Sequence, residues 1–425
     1  MMSKILYNLF IRLLGFGMFI ARLFNPKAKK WHKGRKNWQI KLRDLLKDKI
    51  RKNSSTIWMH ASSLGEYEQG RPILEKLRSI DKNINILVSF YSPSGFEPAT
   101  KNKEIDVLFY LPLDTKSNAK DLLSIIKPNL VLWIKYEYWW NILESVSSNK
   151  IPLLLISALF KERQLFFKWY GKWYGKMLEC FTHLFVQTEQ SKLLATGHVS
   201  AQKITVSGDT RFDRVVSIAS SWQPVNIIEN WIGDTAKVVV AGSTWHDDEK
   251  VLKHLIEQHQ DIKWIIVPHK IDQWSMNETK KIFYKKLIYS ELVKNPNESE
   301  HSNLLIIDTI GVLSRIYRYG SICYIGGGFT DTGIHNSLEA AVYGKPLIFG
   351  PEFQEYVEAI GLIQEKAAYS FENVLELEEK FELLLNNREV FQTAVNASKS
   401  YVYRNAGATS KIVEYIYKNR LLTNT

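Results

Sequence analysis

Short apolar runs alternating with longer amphipathic stretches constrain this chain more than any other feature. Ile57 to Ala61, Ile84 to Phe90, Ile105 to Tyr110, Leu130 to Ile134, Ile151 to Ile156 and His183 to Gln187 each read as a buried strand. Strands covered by helices on both faces are apolar throughout, whereas half-exposed strands alternate. A second series follows the polar, irregular stretch around Ser221 to Ala236: Val238 to Ala241, Trp264 to Val267, Leu304 to Ile307, Ile322 to Ile325 and Leu347 to Phe349. Each series therefore predicts parallel strands joined by crossover helices. A chain of 425 residues suits two such domains rather than one. The expectation is an α/β protein of two Rossmann-like domains joined near residue 225, with ligands at the carboxyl ends of strands facing a cleft.

Hydrophobic residues make up 45% and charged residues 24%, which is enough apolar material for two cores and excludes a disordered chain. Cys180 and Cys323 lie inside apolar segments without metal-ligand spacing, as ordinary core thiols of a reducing compartment do. Lysine and arginine outnumber aspartate and glutamate by 56 to 44. Nucleic acid is one partner class for such a charge, but its distribution points elsewhere. Between Lys27 and Lys52 ten further Lys and Arg residues face only Asp44 and Asp48, and they follow the apolar segment Ile5 to Phe24. A basic cluster after a hydrophobic helix predicts attachment to an anionic membrane surface. Twenty residues suffice to cross a hydrocarbon core, but Asn8, Arg12 and Arg22 spoil a clean span. Both a crossing helix and one lying in the interface remain open, with the rest of the chain on the cytoplasmic side. Residues 1–25 are thus read as the anchor, 26–222 as the first domain and 223–425 as the second. The tract FFKWYGKWYGK, Phe166 to Lys176, repeats Trp-Tyr-Gly and is read as a helix whose aromatics pack under a sheet.

Tyr324 to Pro351 reads as a strand ending in Gly326, Gly327 and Gly328, a turn, a helix and a second strand. Glycines let a backbone approach a ligand closely. Asn336 or Ser337 can cap the helix carrying Leu338, Glu339, Ala340 and Ala341, whose free N–H groups would face an anion such as a nucleotide phosphate. Glu339 is placed to accept hydrogen bonds from ribose hydroxyls. The same pattern also serves packing alone in many α/β proteins.

The order of residues around His335, Asn336 and Glu339, ending in Gly344-Lys345-Pro346, resembles the donor-binding segment of GT-B glycosyltransferases. With the motifs that follow, the chain resembles the 3-deoxy-D-manno-octulosonic acid (Kdo) transferases, which add Kdo to the lipid A precursor. His60-Ala-Ser-Ser-Leu-Gly-Glu66 matches that family's strand, small-residue loop and Gly-Glu, and the match gives Glu66 the role of general base. A carboxylate at a helix N-terminus also suits proton abstraction and is expected to be ionised there. Ser62, Ser63 and Glu137 are assigned to the acceptor side. Glu137, Trp139 and Asn141 match the family's Glu-Thr-Glu-Leu-Trp-Pro-Asn, while Lys135 replaces its first glutamate and Trp140 its proline. A structural ion pair between Glu137 and Lys135 is the competing role. Gly208-Asp-Thr-Arg211-Phe-Asp213 resembles Gly-Asn-x-Lys-Phe-Asp, with Arg211 in place of lysine as a cation for the donor. Gly242-Ser243-Thr244 matches a Gly-Ser-Thr start, and Pro268-His269-Lys270 a Pro-Arg-His element. Ser243, Thr244, His269, Lys270, Gly327, Gly328, His335, Asn336, Glu339 and Arg211 form the expected donor set.

The resemblance implies a GT-B fold with the last helix, about Ala408 to Asn419, packing back on the first domain. It also implies inverting transfer of Kdo from CMP-Kdo to lipid IVA at the inner membrane, with no nucleic acid as partner. No Asp-x-Asp pair and no metal spacing occur, so neither metal nor cofactor is expected. Another membrane-associated GT-B enzyme, an epimerase among them, and a non-enzymatic membrane-surface protein are the alternatives.

Overall fold

The strands run apolar from end to end because helices cover both faces of each sheet. In the computed structural model, which describes residues 2–168, 171–234, 237–296 and 302–422, they fall into two units. One unit comprises Met1–Arg214 with Ala406–Thr425, the other Val215–Asn405. The first contains β1 (Thr56–Ala61), β2 (Asn85–Phe90), β3 (Val107–Tyr110), β4 (Leu130–Ile134), β5 (Leu153–Ala158), β6 (His183–Val186) and β7 (Ile204–Val206). Their order is β3-β2-β1-β4-β5-β6-β7, all parallel.

Side chains alternate across this sheet. Trp58 and Trp133 enter one core with Leu122, Ile142 and Phe181, while Ile57, Met59 and Ile134 enter the other with Ile73 and Leu77. Ile412, Val413 and Ile416 of the helix Ala408–Lys418 complete the second core. Each fully buried aliphatic side chain contributes roughly 1.5–3 kcal/mol, which makes this helix part of the first unit.

The second unit contains β8 (Val238–Thr244), β9 (Lys263–Pro268), β10 (Leu287–Ile288), β11 (Leu304–Ile306), β12 (Ile322–Ile325), β13 (Leu347–Phe349) and β14 (Ala368–Ser370). Their order is β10-β11-β9-β8-β12-β13-β14, again parallel. Three strands escape the sequence reading: β7, β10 and β14. All are sheet edges two or three residues long, too short to show a pattern.

The helix Met2–Ala21 has two different sides. Tyr7 and Ile11 are buried against the first unit, and Tyr7 Oη donates to Asp114 Oδ2 at 2.6 Å. Asn141 Nδ2 donates to Asn8 Oδ1, and Lys4 pairs with Glu144. Ile5, Leu6, Leu9, Phe10, Leu13 and Phe16 stay exposed. Among the described residues this is the one helix long and apolar enough to cross a membrane. In the aromatic tract, Phe166 is buried and a helix runs from Lys172 to Glu179. Trp173 packs near Trp140, whereas Trp169 and Tyr170 lie outside the described residues.

Candidate functional site

In a doubly wound sheet, ligands bind beyond the carboxyl ends of the two strands where the order reverses. In the first unit these are β1 and β4. The chain leaves β1 through Ser62 and enters the helix Leu64–Ile80, with Ser63 as its cap. Glu66 N donates to Ser63 Oγ at 3.4 Å, and Ser62 N donates to Glu66 Oε2 at 2.6 Å. Together the two bonds hold the carboxylate at the sheet edge. Burial pushes the Glu66 carboxyl above its ordinary range, outweighing the hydrogen bonds from Ser62. The charge of Glu137 adds to that rise, and His60 opposes it. The expected lowering by the helix N-terminus is thus overridden by desolvation.

Beyond β4, Lys135 adopts φ 56° and turns the chain toward Glu137. Glu137 Oε2 accepts from His60 Nε2 at 3.0 Å and from Trp139 Nε1 at 3.1 Å. The Trp139 ring stacks on Tyr91, which follows β2, at 4.9 Å. Asp114 receives the N–H groups of Asn141 and Ile142 at 2.9 and 2.8 Å, fixing the start of the next helix. Lys135 instead acts on Asp209, helping to hold its carboxyl low after Arg211. Arg211, expected to meet the donor, is held by Asp209: its Nε lies 2.8 Å from Oδ2 and its backbone N 2.9 Å from Oδ1.

In the second unit the order reverses between β8 and β12. Ser243 stands at φ 56°, and the hydroxyl of buried Thr244 donates to Glu249 Oε1 at 3.0 Å. Asp248, fully buried, gathers the two strand ends. It accepts from Trp245 N at 2.8 Å, Gly327 N at 2.9 Å and Tyr324 Oη at 2.7 Å. Gly327 has φ 97°, a conformation that favours glycine, and a Cβ on Gly328 would lie 2.6 Å from the Gly350 backbone.

Beside this cradle stand Trp245, His269 and His335 in a slab, with centroids of 4.9 Å between the first two and 4.2 Å between the histidines. Lys270 Nζ lies 4.6 Å above the Trp245 ring. Trp245 Nε1 donates to His335 Nε2 at 3.1 Å, and an indole only donates, so Nε2 is the unprotonated nitrogen. Burial and the neighbouring His269 pull His335 down from 6.5 to about 4. His269 is likewise lowered by burial, and next by Lys270. Folded His335 refuses a proton that the unfolded chain accepts, so stability is lost as pH falls from 6.5 toward 4. Urea titrations at neutral and mildly acid pH should therefore show less acid destabilisation in His335→Gln than in the wild type. An equal loss in both would refute this.

Asn336 rather than Ser337 caps the next helix: its Oδ1 accepts from Leu338 N at 3.2 Å, while its Nδ2 donates to Glu339 Oε1 at 3.1 Å. The Ser337 hydroxyl makes no cap. That helix, Leu338–Ala341, is one turn long, so it brings Glu339 to the cradle but offers an anion little helix dipole. Sequence reasoning gave no site role to His60, Asp114, Asp248 or Trp245. A titratable residue inside the apolar run TIWMHA was the available signal for His60, and the motif match after Gly242 the signal for Trp245 and Asp248; Asp114 had none. Among the described residues no cluster of three or more His, Cys, Asp or Glu could hold a metal ion.

A family model described as 3-Deoxy-D-manno-octulosonic-acid transferase (kdotransferase) matches residues 36–214, ending where the first unit ends. A 3-deoxy-D-manno-octulosonic acid transferase of Aquifex aeolicus is 26% identical over 357 residues, 81% of this chain and 90% of that protein. The chain is similar to the 3-deoxy-D-manno-octulosonic acid transferases, which are glycosyltransferases. A bifunctional glycosyltransferase/methyltransferase of Fusobacterium nucleatum is 28% identical over 352 residues, but the match spans only 54% of its length. The fold is GT-B. A UDP-GlcNAc 2-epimerase structure from Neisseria meningitidis superposes with a TM-score of 0.62 at 16% identity, covering 86% of this chain and all of that one. A glycosyltransferase structure from Rickettsia africae gives 0.53, also at 16%, over 88% of this chain and 100% of its own. At such identities these likenesses speak to fold alone.

Proposed function

We propose that this chain transfers Kdo from CMP-Kdo to a hydroxyl of the lipid A precursor lipid IVA, with inversion at the anomeric carbon and Glu66 as general base. The observation that carries the reading is the Glu66 carboxyl, fixed by Ser62 and Ser63 at the reversal of the first sheet and raised by burial. A raised carboxylate is a stronger base, which suits removal of the proton from an acceptor hydroxyl. As that proton passes to Glu66, the hydroxyl oxygen bonds to the anomeric carbon. The bond to the phosphate oxygen breaks, and CMP leaves with the electron pair. In the second unit, Ser243, the amides around Gly327 and Gly328, Lys270 and the neutral histidine slab offer donors for the phosphate, and Glu339 an acceptor for ribose. Glu137 and the Trp139–Tyr91 stack supply an acceptor-side surface of one carboxylate and two aromatic faces.

The helix Met2–Ala21 attaches this enzyme to the cytoplasmic face of the inner membrane, where its lipid substrate resides. Its buried side is committed to Asp114, Asn141 and Glu144, which leaves the apolar side for lipid. Changing Phe10 and Phe16 together to glutamate should move most of the protein from the membrane fraction to the soluble one. An unchanged distribution after carbonate-free fractionation would remove the anchor from the reading. The activity itself is tested by incubating purified protein with freshly made CMP-Kdo and a tetraacyl lipid A precursor. A Kdo-bearing lipid is expected, and its absence would overturn the assignment.

A further inference from the structure

His60 of β1 is fully buried and is the strand's one titratable side chain. Register places it between Ser89 of β2 and Trp133 of β4, and the Trp133 ring lies 4.4 Å from the imidazole. Both ring nitrogens are engaged: Nδ1 lies 2.9 Å from Ser89 Oγ and Nε2 lies 3.0 Å from Glu137 Oε2.

The partners decide which nitrogen carries the proton. An ionised carboxylate can only accept, so Nε2 must donate to Glu137. At the other end Trp58 Nε1, which can only donate, lies 2.9 Å from Ser89 Oγ. Ser89 therefore accepts from Trp58, and its own hydroxyl proton is free to go to Nδ1. The result is one directed chain: Trp58 to Ser89, Ser89 to His60, His60 to Glu137. Trp139 Nε1 closes on the same Glu137 oxygen, and Trp133 Nε1 donates to the Glu137 backbone carbonyl. One indole and one imidazole thus fix the carboxylate, and a second indole its backbone, at the edge of the acceptor side. The charges that bear on it are Glu66 and, from the basic segment, the half-buried guanidinium of Arg35.

We propose that His60 is a positioning residue of the acceptor site, which through its Nε2–H orients Glu137 beside the general base Glu66. The comparison within the same sheet is His183 of β6. Its Nε2 meets only the Thr205 hydroxyl, at 2.8 Å, so a buried histidine here does not by itself imply a carboxylate partner. This inference rests on the transfer reaction proposed above.

Two near-isosteric variants separate orientation from mere core filling. His60→Gln can place an amide N–H near the position of Nε2, whereas His60→Asn reaches toward Ser89 and falls short of Glu137. With both variants folded by melting temperature, kcat/KM for the lipid acceptor should fall roughly tenfold or more in His60→Asn. His60→Gln should recover most of it, and the KM for CMP-Kdo should stay unchanged in both. Equal activity in the two variants, or a loss that appears in the donor KM, would overturn the proposal. If the wild-type protein transfers no Kdo at all, the reaction assignment fails and the orientation claim is decided by nitrogen-15 NMR of the histidines. The Nε2-protonated His60 signal is expected to move in Glu137→Ala, and an unmoved signal would overturn it.

Discussion

Replacing Glu66 by glutamine is expected to lower kcat by about 10²- to 10⁴-fold, the range that a positioned general base contributes. The exchange is nearly isosteric, and the glutamine oxygen can still accept the Ser62 N–H that now meets Oε2 at 2.6 Å. Ser63 continues to cap the helix through its own hydroxyl. The melting temperature should therefore hardly change, and CMP-Kdo affinity, proposed above to rest on the second unit, should not change either. Alanine is the poorer test, because it also discards the hydrogen bond from Ser62 N, an interaction of about 1 kcal/mol. A second signature accompanies the first. Since burial lifts the Glu66 carboxyl above its ordinary 4.5, the acid limb of the pH–rate profile should lie above that value. Full activity in Glu66→Gln would make Glu66 a helix cap and nothing more.

Gly326→Ala should be the most damaging small substitution in the second unit. An added Cβ would lie 2.3 Å from the Ser243 carbonyl oxygen and 2.6 Å from Thr244 Cα. Both are backbone atoms, so no side chain can swing aside. β12 pairs with β8 up to Ile325 and Gly242, and Gly326 N donates to Gly242 O at 2.8 Å just beyond. Relief therefore requires spreading the two strands at the reversal of the sheet. Overpacking of this kind costs about 1–3 kcal/mol, or more where backbone must shift, and each kcal/mol lowers the melting temperature of a unit this size by about 2–4 °C. CMP should bind far more weakly, because the same displacement moves the amide of Gly327 and the Asp248 contacts that hold it. Gly65→Ala provides the stability control, since a Cβ there meets nothing within 4 Å. Equal melting temperatures for the two alanine variants would show that the strand ends are not as tightly apposed as their distances imply.

Much of the fold was legible because its strands are buried on both faces. TIWMHA, LVLWI and ICYI announce themselves by composition alone, since a strand between two helical layers has no polar face to interrupt the run. The edge strands Ile204–Val206, Leu287–Ile288 and Ala368–Ser370 announce nothing, being shorter than any period they could display. Local chemistry was legible in the same way. Glu66 was read at a helix N-terminus beside Ser62 and Ser63, and both serines hold it there. The ionisation of Glu66 was not legible, because the helix end favours its charged form while the surrounding core disfavours it, and only the packing decides which effect is larger.

By itself, then, the sequence determined what depends on residues close together along the chain: two parallel series, a glycine-ended strand before Asn336 and Glu339, and an apolar start followed by basic helices. Tertiary structure decided what depends on residues far apart. Glu137 meets His60 across 77 positions, and Asp248, which also holds Trp245 N, meets Gly327 across 79. Arg211 was available to a ligand on paper and is held by Asp209 in the fold. The physical reason is range. Caps, turns and periodicity act within a few residues, whereas burial and hydrogen-bond satisfaction are set by whatever the folded chain brings alongside.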